Sequence, residues 1–379
     1  MIKKFNVKKT RQLKTVNNIL KIFYSKPDRK SDKDTKDYKE IIIVDFSLIG
    51  DMVMNIPFLQ QIRVNCPGAR ISMVARWQSV EVLQGQGLID EFIVFDGKTY
   101  LSTPGTIIKN SVAIHKILKK INQRKYDVAI EPKGDLRHTW FMHYIQSDRS
   151  ISYNYTGGEY LITDSFVPKP DTRHLIDEKL DLLEMAGFDV DRDYNVPQFI
   201  KKSKKKIINE KIIGIHPGAS SINKMYRHFG LIIDYLALMD IGIQIYVYVD
   251  PLDDAEISEG IIESIERNNI SYKIVREKLD KYITSVAMCD LMICNDSSAG
   301  HIAAAYGIPA IVIFGAIKPE TACPRGSRVI SISYDCDCKP CTLEDCPDKT
   351  YECLEKISIE SIYNALEEMI GKSESDISR

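Results

Sequence analysis

Eight short apolar runs limit what this chain can fold into. Residues 41–44, 71–75, 92–95 and 127–130 form one series, and residues 212–216, 243–249, 291–294 and 310–314 form a second. Each has the length of a strand buried on both faces. Stretches with helical spacing separate them, among them residues 111–123, 227–239 and 255–268. Parallel neighbours need a crossover, so strand–helix alternation predicts a parallel sheet with helices on both faces. Two successive series predict an α/β chain of two Rossmann-like domains facing across a cleft. The 379 residues are enough for both. The expected division is a basic extension and linker over 1–40, a first domain over 41–200 and a second over 207–357. Residues 358–379 then form a C-terminal helix and tail. The charged run 201–206 (KKSKKK) reads as the connection.

In open sheets of this kind ligands sit beyond the carboxyl ends of the strands, so the residues that follow the apolar runs carry the functional signal. The first cluster is DFSLIGDMVMNIPFL, residues 45–59. Gly50 permits a tight turn and Asp51 opens a helix, either as a cap or as a carboxylate base at the cleft mouth. A helix N-terminus favours the ionised form of such a base and also weakens it. The second cluster is IIGIHPGASSINKMYRHF, residues 212–229. Hydroxyls at Ser220 and Ser221, then Lys224, precede a helix in a pattern suited to a diphosphate, though the loop is not a Walker A motif. The third is CNDSSAGH, residues 294–301. Asp296 and Ser297 end a strand and His301 enters a helix, whose first N–H groups can receive phosphate oxygens. The alternative there is a capped helix with a core histidine. Asp135, Arg137 and His138 follow the run 127–130 in the same manner, with Asp135 either lining an acceptor side or capping a helix.

Cys338-x2-Cys341-x4-Cys346-x6-Cys353 lies in the loop 336–353, with Cys336 a fifth candidate. Four cysteines so spaced suit a tetrahedral thiolate site for zinc or iron, with a role in folding, and otherwise are free thiols. Residues 1–26 hold eight Lys or Arg and no acid, with Leu13, Val16, Leu20 and Phe23 at helical spacing. They read as a basic amphipathic helix on an anionic inner membrane or as a solvated extension. Residues 27–39 read as a disordered linker. The net charge of −1 gives no global field for nucleic acid. No run of about 18 apolar residues predicts a transmembrane helix. With no secretory signal either, the expected place is the cytoplasm, where cysteines stay reduced.

The stretches SLIGDMVMNIPFL, GIHPGASSINKMYR and CNDSSAGHIAAAYGIPAIVIFGAIKPE resemble glycosyltransferase family 9, the ADP-heptose:lipopolysaccharide heptosyltransferases. EPKGDLRH and HLIDEKLDLLEMAG match more weakly, and the likeness covers roughly residues 41–370. It implies a GT-B fold, the first domain holding the acceptor and the second a nucleotide-sugar donor. It also implies an inverting transfer with no catalytic metal. The implied donor is ADP-L-glycero-D-manno-heptose, and the implied acceptor an inner-core lipopolysaccharide sugar. Carried over, Asp51 is the base. Ser220 and Lys224 bind the donor phosphates. Asp296, Ser297 and His301 hold the diphosphate and sugar side, and Asp253 falls near the nucleoside contact. Related autotransporter heptosyltransferases hold iron at a four-cysteine site of different spacing. The chain departs from the pattern at Ser298, at Val249-Asp250-Pro251 and at Asp45. Where Asp45 stands relatives often have a basic residue that can help recognise a phosphorylated acceptor, so a less anionic acceptor, another glycan or a protein, is expected. The alternatives are a transferase of the same fold with another nucleotide sugar, and an inactive nucleotide-binding scaffold.

Overall fold

The computed structural model describes residues 7–169, 173–200, 210–239, 241–249, 255–341 and 345–371. The chain divides into two compact units, Met1–Asn195 and Val196–Arg379. The first unit runs α1 (Val7–Phe23), β1 (Glu40–Asp45), α2 (Ile49–Val53), α3 (Ile56–Asn65), β2 (Arg70–Ala75), β3 (Glu91–Val94) and α4 (Ser111–Ile121). It continues through β4 (Tyr126–Glu131), α5 (Leu136–His143), β5 (Ser147–Tyr153), β6 (Asp164–Phe166) and α6 (Leu175–Met185). Its six strands lie in the order β3-β2-β1-β4-β5-β6, every pair parallel.

The second unit holds β7 (Lys211–His216), α7 (Phe229–Leu238), β8 (Ile243–Tyr248), α8 (Ala255–Arg267), β9 (Ser271–Val275) and β10 (Leu291–Asn295). After these come α9 (Ser298–Ala305), β11 (Ala310–Phe314), β12 (Val329–Ser333) and α10 (Ile359–Gly371). Its strand order, β12-β11-β10-β7-β8-β9, repeats the wiring of the first sheet. In each sheet the order reverses at one place, between β1 and β4 and between β7 and β10.

Burial explains which strands are legible. Ile41, Ile42, Ile43 and Val44 are all at most 1% exposed, so β1 is apolar on both faces. The strands absent from the sequence reading are β5, β6, β9 and β12. Three of them are sheet edges: β6 is only half-buried, β12 buries one residue and β9 buries only its last. In β5 the sequence SDRSISY hides its role, because Arg149 is buried through its ion pair with Asp164 at 3.0 Å.

One expectation needs correction. Residues 27–39 are not a loose linker. Asp127 binds Lys33 Nζ at 2.6 Å and accepts the Lys39 and Glu40 N–H groups, and the Lys30 N–H donates to the Asp148 carbonyl. These partners lie roughly a hundred residues away in sequence, out of reach of a local composition argument. The last helix packs on the core of the second unit. Ile362 and Leu366 of α10 enter the core of the second unit, and Tyr363 stacks on Tyr235 of α7 with ring centroids 3.8 Å apart. The run 201–206 and the tail 372–379 lie outside the described residues.

The extension also docks. Leu13 is buried, and Asn17 Oδ1 accepts the Gly158 N–H at 2.9 Å while Tyr160 Oη donates to the Asn17 carbonyl at 3.1 Å. Gly157 sits at φ +100°, and a Cβ there would stand 2.3 Å from Asn17 Oδ1, so the turn needs glycine to receive this side chain. Asn17→Ala leaves a buried N–H unsatisfied and is expected to cost about 1–3 kcal/mol. Faster amide exchange across residues 13–24 than in the parent protein is the expected readout.

Candidate active site

The candidate residues of each unit collect at its reversal point. In the first unit β1 ends in Asp45, which is fully buried. Its carboxylate accepts the Ser47 N–H at 2.8 Å and the Asn55 side-chain N–H at 2.6 Å. This staple folds the loop 46–48 back and sets the direction of α2. Asp45 therefore braces the turn through Ser47 and Asn55.

Asp51 is the third residue of α2, after Ile49 and Gly50. Its Oδ2 lies 3.3 Å from Lys133 Nζ, with the two side chains 31% and 29% exposed, and Lys179 Nζ donates to its carbonyl. Burial works to lower the Lys133 pKa, but the carboxylates of Asp51, Asp45 and Asp135 outweigh it and the pKa is raised. Lys98 behaves in the opposite way. Burial, Arg76 and Lys133 lower its pKa despite Asp96 and Asp51. Lys133 and Lys98 both sense the Asp51 carboxylate.

Lys133 is aimed by the turn after β4. Glu131 is fully buried, and its carboxylate accepts the Gly134 N–H and the Ser152 hydroxyl, both at 2.6 Å, with His138 Nδ1 3.1 Å away. Gly134 adopts φ +68°, as this turn requires. Asp135 caps α5 by accepting the Arg137 N–H at 3.0 Å and pairs with the Arg137 guanidinium. Burial opposes ionisation of Asp135, but His138 and Arg137 hold its carboxyl well below the usual carboxylate range. Sequence reasoning missed Lys133, although it stands in the EPKGDLRH stretch; only the pairing of β1 with β4 brings it to Asp51.

In the second unit β7 and β10 lie side by side. Asn295, fully buried at the end of β10, donates to the Pro217 carbonyl at 2.5 Å and accepts the Tyr226 N–H at 3.1 Å, tying the loop 217–225 to this point. Lys224 Nζ lies 2.6 Å from Asp296 Oδ2, and Ser297 Oγ 3.2 Å from His216 Nδ1. Ser297 stands at the cap position of α9 without a cap bond, so its hydroxyl serves His216 instead. Asp296 is 9% exposed and His301 5%, while Ser220 is exposed. A Cβ on Gly300 would lie 2.9 Å from Val312 Cγ2, so glycine lets α9 press onto the sheet. The structure brings Lys224, Asp296 and Ser297 together; Asp253 lies outside the described residues.

The cysteines converge only in part. Cys336 and Cys338 lie with sulfurs 3.2 Å apart, and Cys338 is exposed. Cys346 instead donates to Asp348 Oδ1 at 2.9 Å, and Cys353 is buried. Among the described residues no three His, Cys, Asp or Glu side chains are grouped to hold a metal ion.

With this geometry in hand, comparison with known proteins decides the family. The model of glycosyltransferase family 9 (heptosyltransferase) matches residues 114–352. The chain belongs to glycosyltransferase family 9. Lipooligosaccharide heptosyltransferase 2 of Campylobacter jejuni is 24% identical over 183 residues, which are 47% of this chain and 58% of that protein. The chain thus spans less than two thirds of that relative's length. A family 9 glycosyltransferase of Veillonella parvula superposes with a TM-score of 0.73 at 21% identity, covering 90% of this chain and 99% of the other. ADP-heptose lipopolysaccharide heptosyltransferase II of Escherichia coli gives 0.69 at 17%, covering 87% and 98%. These likenesses establish the fold of the family 9 chain as GT-B.

The Asp51–Lys133 pair generates a titration test. Because the folded Lys133 pKa is raised, the pair stabilises the protein fully below the unfolded lysine value, about 10.4, and this stabilisation fades as pH rises through the folded value. In Asp51→Asn the Lys133 ammonium is expected to titrate at lower pH, read from its side-chain NMR shifts. An unchanged titration would mean that the pair is not formed in solution.

Proposed function

We propose that this chain is an inverting glycosyltransferase that moves a heptose from ADP-L-glycero-D-manno-heptose to an acceptor sugar of lipopolysaccharide or a related surface glycan. The observation that carries this reading is the placement of Asp51 at the reversal point of one sheet and of the Lys224 loop at that of the other, in a family 9 chain. In the proposed reaction the Asp51 carboxylate takes the proton of the acceptor hydroxyl. The acceptor oxygen forms its bond to the anomeric carbon as the bond from that carbon to the diphosphate oxygen breaks, and ADP leaves with the electron pair. Attack from the opposite side inverts the anomeric centre. Negative charge grows on the diphosphate, and stabilising it is the main electrostatic task. Lys224, Ser220, Ser297 and the first N–H groups of α9 supply that stabilisation, so the step needs no catalytic metal.

In the same reading Asp296 orients Lys224, His301 flanks the sugar, and Asp253 contacts the nucleoside. Asp135 and Arg137 shape the acceptor side, where the cations around Asp51 favour an anionic glycan or lipid-linked glycan over a neutral or protein acceptor. The proposed place of work is the cytoplasmic face of the inner membrane, as a peripheral protein. We further propose that the cysteine loop takes up zinc or iron for folding and not for chemistry. Cys336 and Cys338 already lie with their sulfurs 3.2 Å apart, and Cys346 would have to leave Asp348. Metal bound to the purified protein, and a lower melting temperature without change in nucleotide binding in Cys338→Ser/Cys341→Ser, are the expected results.

A thermal-shift panel with ADP, UDP, GDP and CMP tests the donor. ADP alone is expected to stabilise the protein, by about 2.7 kcal/mol at a hundredfold excess over Kd. Asp51→Asn is expected to lower turnover of ADP-heptose by about 10²–10⁴-fold and to leave the ADP response intact. Stabilisation by another nucleotide would retire heptose as the sugar, and no response to any would favour the inactive scaffold.

A further inference from the structure

We infer that α1 docks the protein on an anionic lipid surface through the face it turns away from the first unit. The inner face is already engaged. Leu13 and Asn17 are buried, Tyr24 Oη meets Tyr144 Oη at 2.5 Å, and Lys21 pairs with Glu159. The opposite face carries Ile19, Ile22 and Phe23, which are 53%, 78% and 75% exposed. Their spacing places them on adjacent turns of one side of the helix. Three large apolar side chains exposed side by side are costly in water and indicate a partner surface.

The charge of the segment selects the partner. Lys14 on α1 and Lys26 just after it are exposed, and no Asp or Glu occurs before Asp28. Residues 1–26 carry eight Lys or Arg, whereas the whole chain has a net charge of −1, so the remainder is net acidic and the positive field is concentrated here. A second copy of the same helix would bring like charges together, and a basic partner would be repelled. An anionic bilayer offers both counterparts, a negative surface for the lysines and acyl chains for the three apolar side chains. Among the described residues no helix is long and apolar enough to cross a membrane, so the contact is with the surface. Docking of α1 through Asn17 and Tyr24 fixes the orientation of the first unit on that surface, since the helix is bonded to the loop 157–160 and to α5. The inference stands whether or not the chain transfers heptose.

The test is flotation of the full-length protein with vesicles of phosphatidylcholine alone and with phosphatidylglycerol mixed in. Binding to the anionic vesicles only, weakened by high salt, is expected. Ile19→Ser/Ile22→Ser/Phe23→Ser is expected to lower the vesicle partition coefficient at least about tenfold. Lys14→Gln and Lys26→Gln should each lower it about fivefold. The altered side chains are exposed, so the melting temperature should stay that of the parent. As a second readout on the unaltered protein, amide exchange over residues 19–26 is expected to slow when anionic vesicles are added. Equal binding of the triple variant and the parent overturns the inference, as does equal, salt-independent binding to neutral vesicles. A concentration-dependent dimer that the triple variant dissolves, with no vesicle binding by the parent, overturns it in favour of a second copy.

Discussion

Each unit depends on one parallel pairing, β1 with β4 and β7 with β10, from which the chain departs toward opposite edges of the sheet. Connections that diverge leave the carboxyl ends of the two central strands uncovered. The loops that follow those strands then have room to fold back over the sheet. Asp45 does this work in the first unit and Asn295 in the second. Both side chains are fully buried, and both bond the turn that follows or adjoins the strand. A buried polar group must be satisfied, so these residues specify loop geometry through the penalty of any other arrangement.

The candidate site residues are held by charge pairing on top of this frame. Lys133 meets Asp51 across β1 and β4, and Lys224 meets Asp296 across β7 and β10. Each pair orients its lysine while leaving it partly open to solvent. The supporting groups differ in kind. Glu131 anchors the Lys133 turn by accepting from a backbone N–H and a serine hydroxyl, whereas Lys224 is placed by a short 3₁₀ turn whose Asn223 carbonyl accepts the Ala316 N–H.

Much of this was legible in the chain itself. The eight apolar runs correspond to eight of the twelve strands among the described residues, because a strand buried on both faces has a composition that loops avoid. The edge strands β6, β9 and β12 lack an apolar run because little of their length is buried, and β5 is hidden because burial of Arg149 depends on Asp164. The same reason explains the ordered segment 27–39, whose lysines and backbone N–H groups find Asp127 and Asp148. Asp45 and Asp135 show the limit most clearly. Both are acids after a strand, and both turn inward to brace a turn, which residue type and position do not distinguish from an outward-facing acid.

What the sequence by itself determined is the class of fold, the two strand–helix series and the strand ends at which functional side chains collect. Periodicity and burial pattern follow from local chain geometry and from the partition of apolar groups away from water. What only the tertiary structure decided is which polar groups are paired. Lys133 with Asp51, Ser297 with His216, Asn17 with the Gly157-Gly158 turn and Tyr363 with Tyr235 are long-range contacts. Hydrogen bonds and ion pairs act over a few ångströms, so they come into being only after the sheets have brought distant segments together.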